Sequence, residues 1–392
     1  MALQPAAGAR DLHPDAVETN RRLAELLASV YRLWGYQEVA PPTIERLDSL
    51  EAGGAINPRE ILRLASDEPL GLRPELTAPI ARAASTRMPD RARPLRLWAC
   101  GTTFRCVVAD GGDQRISETL QSGVELLGVA SWAADYELMH LLLAAAATLG
   151  LRPQHRPTLL VGHHGLLDAL LAPLPAERRG RVRQALTEFD PLALEELGLG
   201  EAERHRYRTL LGLRGDPSQV LYQLEQWLGP TPLLRSLAAL LAGLQPAAAA
   251  LGVRLQFDPS FEPHFDLYDG LVFRLVCQGA DAPVAIASGG RYDALVGRFD
   301  NDGGRAAGTG FAFAIESIRE LLEAGSAAAP LQGAWLVAAA AGVDPARCLS
   351  RQAEHHRRGE AAELCLQPCD DRDQAEAIAR ERGCRGVDWL EA

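Results

Sequence analysis

The chain has 392 residues, 47% of them apolar and 23% charged, which suffices for two or three packed domains at roughly 100–200 residues each. Its formal net charge of −11 weighs against a broad nucleic-acid interface, which needs a basic face. Apart from histidine, every basic residue is arginine, so a phosphate loop with its lysine and a lysine Schiff base are both excluded.

The cysteines, at 100, 106, 277, 348, 365, 369 and 384, are odd in number. The opening Met-Ala-Leu-Gln has no secretory pattern, and a cytoplasmic protein without a disulfide framework is expected. Cys365 and Cys369 lack a histidine pair at finger spacing, so no metal is expected. Apolar runs such as 141–147 are too short to span a membrane.

In chain order, residues 15–34 predict an amphipathic helix. Leu23, Leu26, Leu27, Val30, Tyr31 and Trp34 share one face, and Gly35 stops it. Pro41-Pro42 opens an extended stretch. Apolar pieces bounded by Gly or Pro predict strands at 70–73, 95–102 and 124–129. A second helix is predicted over 135–149, closed by Gly150. Residues 153–252, rich in Leu, Ala, Arg and Glu, read as a mostly helical insertion. Strand patterns return at 255–257, 270–277 and 284–287. A glycine-rich run ending at Gly310 leads into a predicted helix at 313–322. Residues 324–330 read as a linker that closes a core of 1–325. Beyond it, 331–392 alternate strand, helix, strand and helix, a shortened C-terminal α/β module.

Taken singly, the polar motifs have ordinary readings. Glu75 after Pro74 is a helix-start carboxylate, Glu125 a surface strand residue, and Gly289-Gly290 a turn. His163-His164 reads as a loop feature, and His355-His356 as the solvated face of a tail helix. Their order carries more. Gly8-Ala9-Arg10-Asp11 is followed by Trp34-Gly35-Tyr36 and Pro41-Pro42-Thr43-Ile44-Glu45. Then come Leu72-Arg73-Pro74-Glu75-Leu76-Thr77, Thr103-Phe104-Arg105 and Gln121-Ser122-Gly123-Val124-Glu125. Tyr268-Asp269-Gly270, Gly289-Gly290-Arg291-Tyr292-Asp293 and Gly310-Phe311-Ala312-Phe313-Ala314-Ile315-Glu316 complete the series.

From residue 8 to about 322 this series resembles the catalytic core of class II histidyl-tRNA synthetases. The first helix and Pro41-Pro42 look like motif 1, 103–128 like motif 2, and 308–316 like motif 3. The resemblance implies an α+β fold of the class II aminoacyl-tRNA synthetase type, an antiparallel sheet flanked by helices. It implies dimerisation through the motif 1 region and a pocket for free histidine. Glu75, Thr77 and Gln121 match positions that accept from the ammonium, and Glu125 and Tyr268 positions that hold the imidazole. Arg105 matches the motif 2 arginine, whose planar fork suits a carboxylate or phosphate. Gly289, Gly290, Arg291 and Tyr292 match the pocket wall.

Departures from that family fall on ATP chemistry. Ser317 stands where the motif 3 arginine is expected, and serine brings neither charge nor fork. Val107 replaces an acidic residue, Ser117 replaces a basic one, and the loop between carries Asp110 and Asp113. Pro263 replaces the arginine of the histidine-specific segment, and no more than about sixty residues follow the linker. Kept histidine positions with lost ATP positions resemble the regulatory subunits of ATP phosphoribosyltransferase. That resemblance implies no catalytic residue and no cofactor here, a short-form catalytic partner subunit, and L-histidine as effector. Neither nucleic acid nor membrane is an expected partner. An active synthetase, and a synthetase paralogue serving another partner, are the competing readings.

Overall fold

The computed structural model describes residues 5–52, 56–108, 114–261, 267–299, 306–323 and 333–391. The predicted linker, the acidic residues Asp110 and Asp113, and Pro263 lie outside the described residues. The chain divides into two compact units, 1–324 and 325–392.

The first unit opens with α1 (Pro14–Leu33), β1 (Gln37–Glu38), β2 (Ile44–Arg46), α2 (Leu47–Ala52), β3 (Leu70–Leu72) and α3 (Thr77–Arg87). A long hairpin follows, β4 (Leu95–Val108) and β5 (Gln114–Leu127), then α4 (Trp132–Ala147), a 3-10 turn (Pro153–His155) and β6 (Thr158–His163). Six helices come next: α5 (His164–Leu171), α6 (Ala176–Thr187), α7 (Pro191–Glu196), α8 (Glu201–Gly212), α9 (Pro217–Leu228) and α10 (Pro232–Ala250). The unit closes with β7 (Arg254–Phe257), β8 (Leu271–Gln278), β9 (Pro283–Arg291), α11 (Asp293–Phe299), β10 (Gly308–Ala314) and α12 (Ile315–Glu323).

Eight strands form one sheet in the order β1-β4-β5-β10-β9-β8-β6-β7. The six central strands are antiparallel neighbours, whereas the edge strands β1 and β7 pair parallel. The sheet is therefore mixed at its margins. Because strand side chains alternate between faces, each strand feeds two layers. On one face Trp98, Val124, Leu126, Phe273, Phe311 and Phe313 meet the apolar sides of α1, α4 and α12. On the other, Leu95, Leu97 and Leu127 pack with Ile80 and Ala81 of α3 and Leu295 and Val296 of α11.

The structure refines or corrects several expectations. The mostly helical region 153–252 also carries a strand, since β6 within it pairs with β8 inside the sheet. The end of the glycine-rich run, Gly308 and Gly310, lies in a central strand, β10, between β5 and β9 before the helix begins at Ile315. Glycine has poor strand propensity, but close packing over this strand overrides it. His163 and His164 are not loop residues either. His163 ends β6 and its Nδ1 accepts from the Gly165 amide at 3.1 Å, capping α5. Among the described residues, α10 is long and apolar enough to cross a membrane, but it buries Leu237, Leu241 and Leu244 in the core.

The second unit contains β11 (Trp335–Ala339), α13 (Pro345–Arg357), β12 (Ala362–Leu364), α14 (Arg372–Glu381) and β13 (Gly386–Leu390). Its three strands are parallel, ordered β12-β11-β13, so a third strand joins the two strand–helix pairs that the sequence predicts. His355 is buried rather than solvated. Its ring nitrogens lie 2.7 Å from Glu360 and 2.8 Å from Asp388, and the ring stacks on Trp335.

Candidate functional site

Glu125 sits on β5 directly across from Leu97 of β4 and Gly310 of β10. Its side chain is only 3% exposed and lies over the neighbouring strand. A Cβ at Gly310 would overlap its Oε2, so only glycine leaves the carboxyl room. The next strand repeats the device: a Cβ at Gly290 would come within 2.7 Å of the Tyr268 ring. The glycines of motif 3 and of the Gly-Gly signature thus clear the floor of one site.

Burial pushes the Glu125 carboxyl up to about 8. Hydrogen bonds from Tyr292 and Thr77 oppose the rise, and the nearby Glu75 adds to it. The Tyr292 hydroxyl donates to Oε2 of Glu125 from the end of β9. Tyr268 lies close enough to Glu125 and Glu75 for both to raise its phenol, after burial itself.

Glu75 precedes α3, and its carboxylate accepts from the backbone amides of Thr77 and Ala78, the latter at 3.0 Å. The helix-start role read from the sequence is therefore real. It does not exhaust the group: a carboxylate has about four acceptor positions. Burial raises the Glu75 carboxyl, against those amides and the charge of Arg105. Arg105 on β4 donates from Nε to the Pro74 carbonyl at 3.1 Å, which holds its guanidinium beside Glu75. Gln121 lies opposite Gly101 and Ala314, two pairs of residues from Glu125 along the same face of β5.

Glu75, Thr77, Arg105, Glu125, Tyr268 and Tyr292 thus converge, with Gln121 and Gly290 on the same face. Gly289 and Arg291 do not join them, which corrects the expected wall. Alternation along β9 sends both to the opposite layer. Gly289 faces Phe273 and Phe311, and Arg291 forms an ion pair with Asp135 of α4 at 2.8 Å. Arg291 also reaches Asp293 at 3.0 Å, and Asp293 accepts from the Gly308 amide at 2.9 Å. That chain of contacts ties β9, β10 and α4 together beneath the site. Sequence reading misses Asp135 and Gly310 as its supports. A signal for Asp135 does exist: it is a carboxylate on the buried face of an otherwise apolar helix.

Beyond Gln121 the hairpin opens into a second cleft, of about 570 Å³. Val107, Ser117 and Ser317, the departed positions, all line it. So do Glu118, Glu316 and Glu320, against the guanidiniums of Arg10 and Arg115. Arg10 is already engaged, 3.0 Å from Glu320 and 3.4 Å from Glu316. Among the described residues carboxylates outnumber the cations here, which repels a triphosphate. The converging site beside it suits a small zwitterion: carboxyls for an ammonium or a ring N–H, and a guanidinium for a carboxylate.

The class follows from this arrangement: an eight-stranded, largely antiparallel sheet with flanking helices, in the manner of a histidyl-tRNA synthetase. The family model for histidyl-tRNA synthetase matches residues 8–318. The ATP phosphoribosyltransferase regulatory subunit of Prochlorococcus marinus strain MIT 9303 is 51% identical over all of both chains. That of Synechococcus sp. strain CC9902 is 49% identical, again over all of both chains. A solved structure titled as an ATP phosphoribosyltransferase regulatory subunit/histidyl-tRNA synthetase from Bacillus halodurans superposes with a TM-score of 0.83 at 26% identity, covering 100% of this chain and 99% of that one. The chain belongs to the histidyl-tRNA synthetase-like family and, within it, to the regulatory subunits of ATP phosphoribosyltransferase.

Proposed function

We propose that this chain senses histidine on behalf of a separate, short ATP phosphoribosyltransferase subunit and carries no catalytic residue of its own. The observation that carries the reading is the contrast between two adjacent regions. The amino-acid side keeps a buried acceptor, Glu125, flanked by Tyr268, Tyr292, Thr77 and Arg105. The nucleotide side has Ser317, Val107 and a surplus of carboxylates. Losing one preorganised charge at a transition state typically costs about 10²–10³ in rate, and several such losses compound. A pocket without the chemistry is what a sensor needs.

On this reading, histidine places its ring N–H against Glu125, its ammonium near Glu75, Thr77 and Gln121, and its carboxylate at Arg105. Inhibition requires that histidine bind one state of the complex more tightly than the other. We also propose that two copies associate through the motif 1 region, where Leu33 at the end of α1 is 86% exposed.

The test is phosphoribosyl-ATP formation by the short catalytic subunit of the same organism, with and without this chain. Activity that depends on the chain and falls on adding histidine supports the proposal. Equal activity without it sinks the proposal. Histidine-dependent ATP–pyrophosphate exchange by the purified chain would instead make it an active synthetase.

A further inference from the structure

At the far margin of the large sheet, β7 and β6 send Leu255, Phe257, Leu159 and Val161 into the core. Alternation turns Arg254, Gln256, Thr158 and Leu160 the other way, and there they line a cleft of about 870 Å³. The 3-10 turn adds Arg152 and Arg156 to the same cleft. Among the described residues no Asp or Glu lines it, in a chain whose net charge is −11.

The turn that presents two of these arginines is built rather than loose. His155 is buried beneath it, and its Nδ1 accepts from the Arg152 amide at 3.0 Å. Arg156 holds a left-handed backbone, φ 41°, shared among described non-glycine residues only with Phe189. A non-glycine residue keeps that conformation where its surroundings impose it. Arg254 is locked alongside, its amide donating to the Pro157 carbonyl at 2.9 Å. Among the described residues the Arg254 guanidinium makes one weak contact, with Gln256 at 3.4 Å.

We infer that this cleft is a binding site for a small phosphorylated anion, held by Arg152, Arg156 and Arg254. Three guanidiniums without a carboxylate partner among the described residues leave a concentrated positive field in a concave surface, where it acts most strongly. Guanidinium forks match phosphate oxygens two at a time. Leu151, Pro153, Leu160 and Val276 supply an apolar wall for the body of the ligand. Among the described residues no aromatic side chain lines the cleft, so no base-stacking platform is offered there, and a sugar phosphate fits better than a nucleotide. The site is separate from that of Glu125: five strand spacings intervene, roughly 24 Å.

The test is calorimetric titration of the full chain with inorganic pyrophosphate at low ionic strength, beside the double variant R156N/R254Q. Asparagine tolerates the left-handed backbone, so the turn survives the change. Saturable binding that weakens at least 10-fold in the variant, with unfolding temperature and histidine affinity unchanged, supports the site. Arg254→Lys should give an intermediate loss, since it keeps the charge and loses the fork. No saturable heat with pyrophosphate, or equal affinity in the double variant, overturns it. So does sulfate binding as tightly at matched ionic strength, or saturation only by a protein partner.

Discussion

The hydroxyl of Tyr292 donates to the carboxyl of Glu125 across 167 positions of sequence. This bond joins Tyr292, the residue just after β9, to motif 2, and it does so over Gly310, where a Cβ would meet the carboxyl. A buried carboxyl with one donor and a second polar neighbour still has unused acceptor positions. A ligand that brings a ring N–H completes it.

Glu125→Gln and Glu125→Ala should each weaken histidine binding at least 10-fold, read by calorimetry on the chain alone. The glutamine keeps the shape and loses the ionisable acceptor. Wild-type affinity in both variants would place histidine sensing elsewhere, for example at the interface with the catalytic subunit.

Glu125 also sets a pH dependence. Its carboxyl is pushed from 4.5 in the unfolded chain up to about 8 in the fold. Between those values the folded state holds a proton that the unfolded chain has released. Stability therefore falls as pH rises through this window, and is fully present only below it. The slope is at most about 1.4 kcal/mol per pH unit. Urea unfolding between pH 5 and 8 should show this decline in the wild type and much less of it in Glu125→Gln. Parallel profiles would refute the assignment.

Gly310→Ala should cost about 1–3 kcal/mol, the usual price of overpacking a filled interior. The new methyl falls on the Glu125 carboxyl, so the loss should come with weaker histidine binding. Both are read from denaturant midpoints and calorimetry. A stable variant with unchanged affinity would show that the carboxyl does not lie over β10.

Arg291 and Asp135 are 12% and 5% exposed at the side chain, a pair shielded from water. Breaking such a pair from one side costs about 3–5 kcal/mol, because a charge is left buried. Asp135→Ala should approach the lower figure, since Asp293 still faces Arg291. Removing both partners should cost less than the sum of the single changes in a double-mutant cycle. Additive losses would mean the two side chains do not interact.

Much of this was legible in the residues. The α1 face was visible because Leu23, Leu27, Val30 and Tyr31 recur at helical spacing and do become buried. Glu75, Arg105, Gln121, Glu125 and Tyr268 could be singled out because polar side chains recurred in a recognisable order. The long hairpin was legible only at its apolar ends: Thr102–Val108 and Gln114–Gly123 carry no alternating pattern, and pairing between the strands supplies their order.

Sequence by itself determined the class of fold, the order of its motifs and the loss of charge at Ser317. These depend on residue type and local spacing alone. Tertiary structure decided which residues meet. Gly289 and Arg291 went to one layer and Gly290 and Tyr292 to the other, because strand faces alternate and the register to β8 and β10 sets which face is which. It decided that Gly308 and Gly310 would lie in a central strand, since its partners rather than its own propensity hold it there. It also turned Glu125 from a strand carboxylate that water could have solvated into a buried group. The opposing glycine on β10 gives the carboxyl the room to lie there.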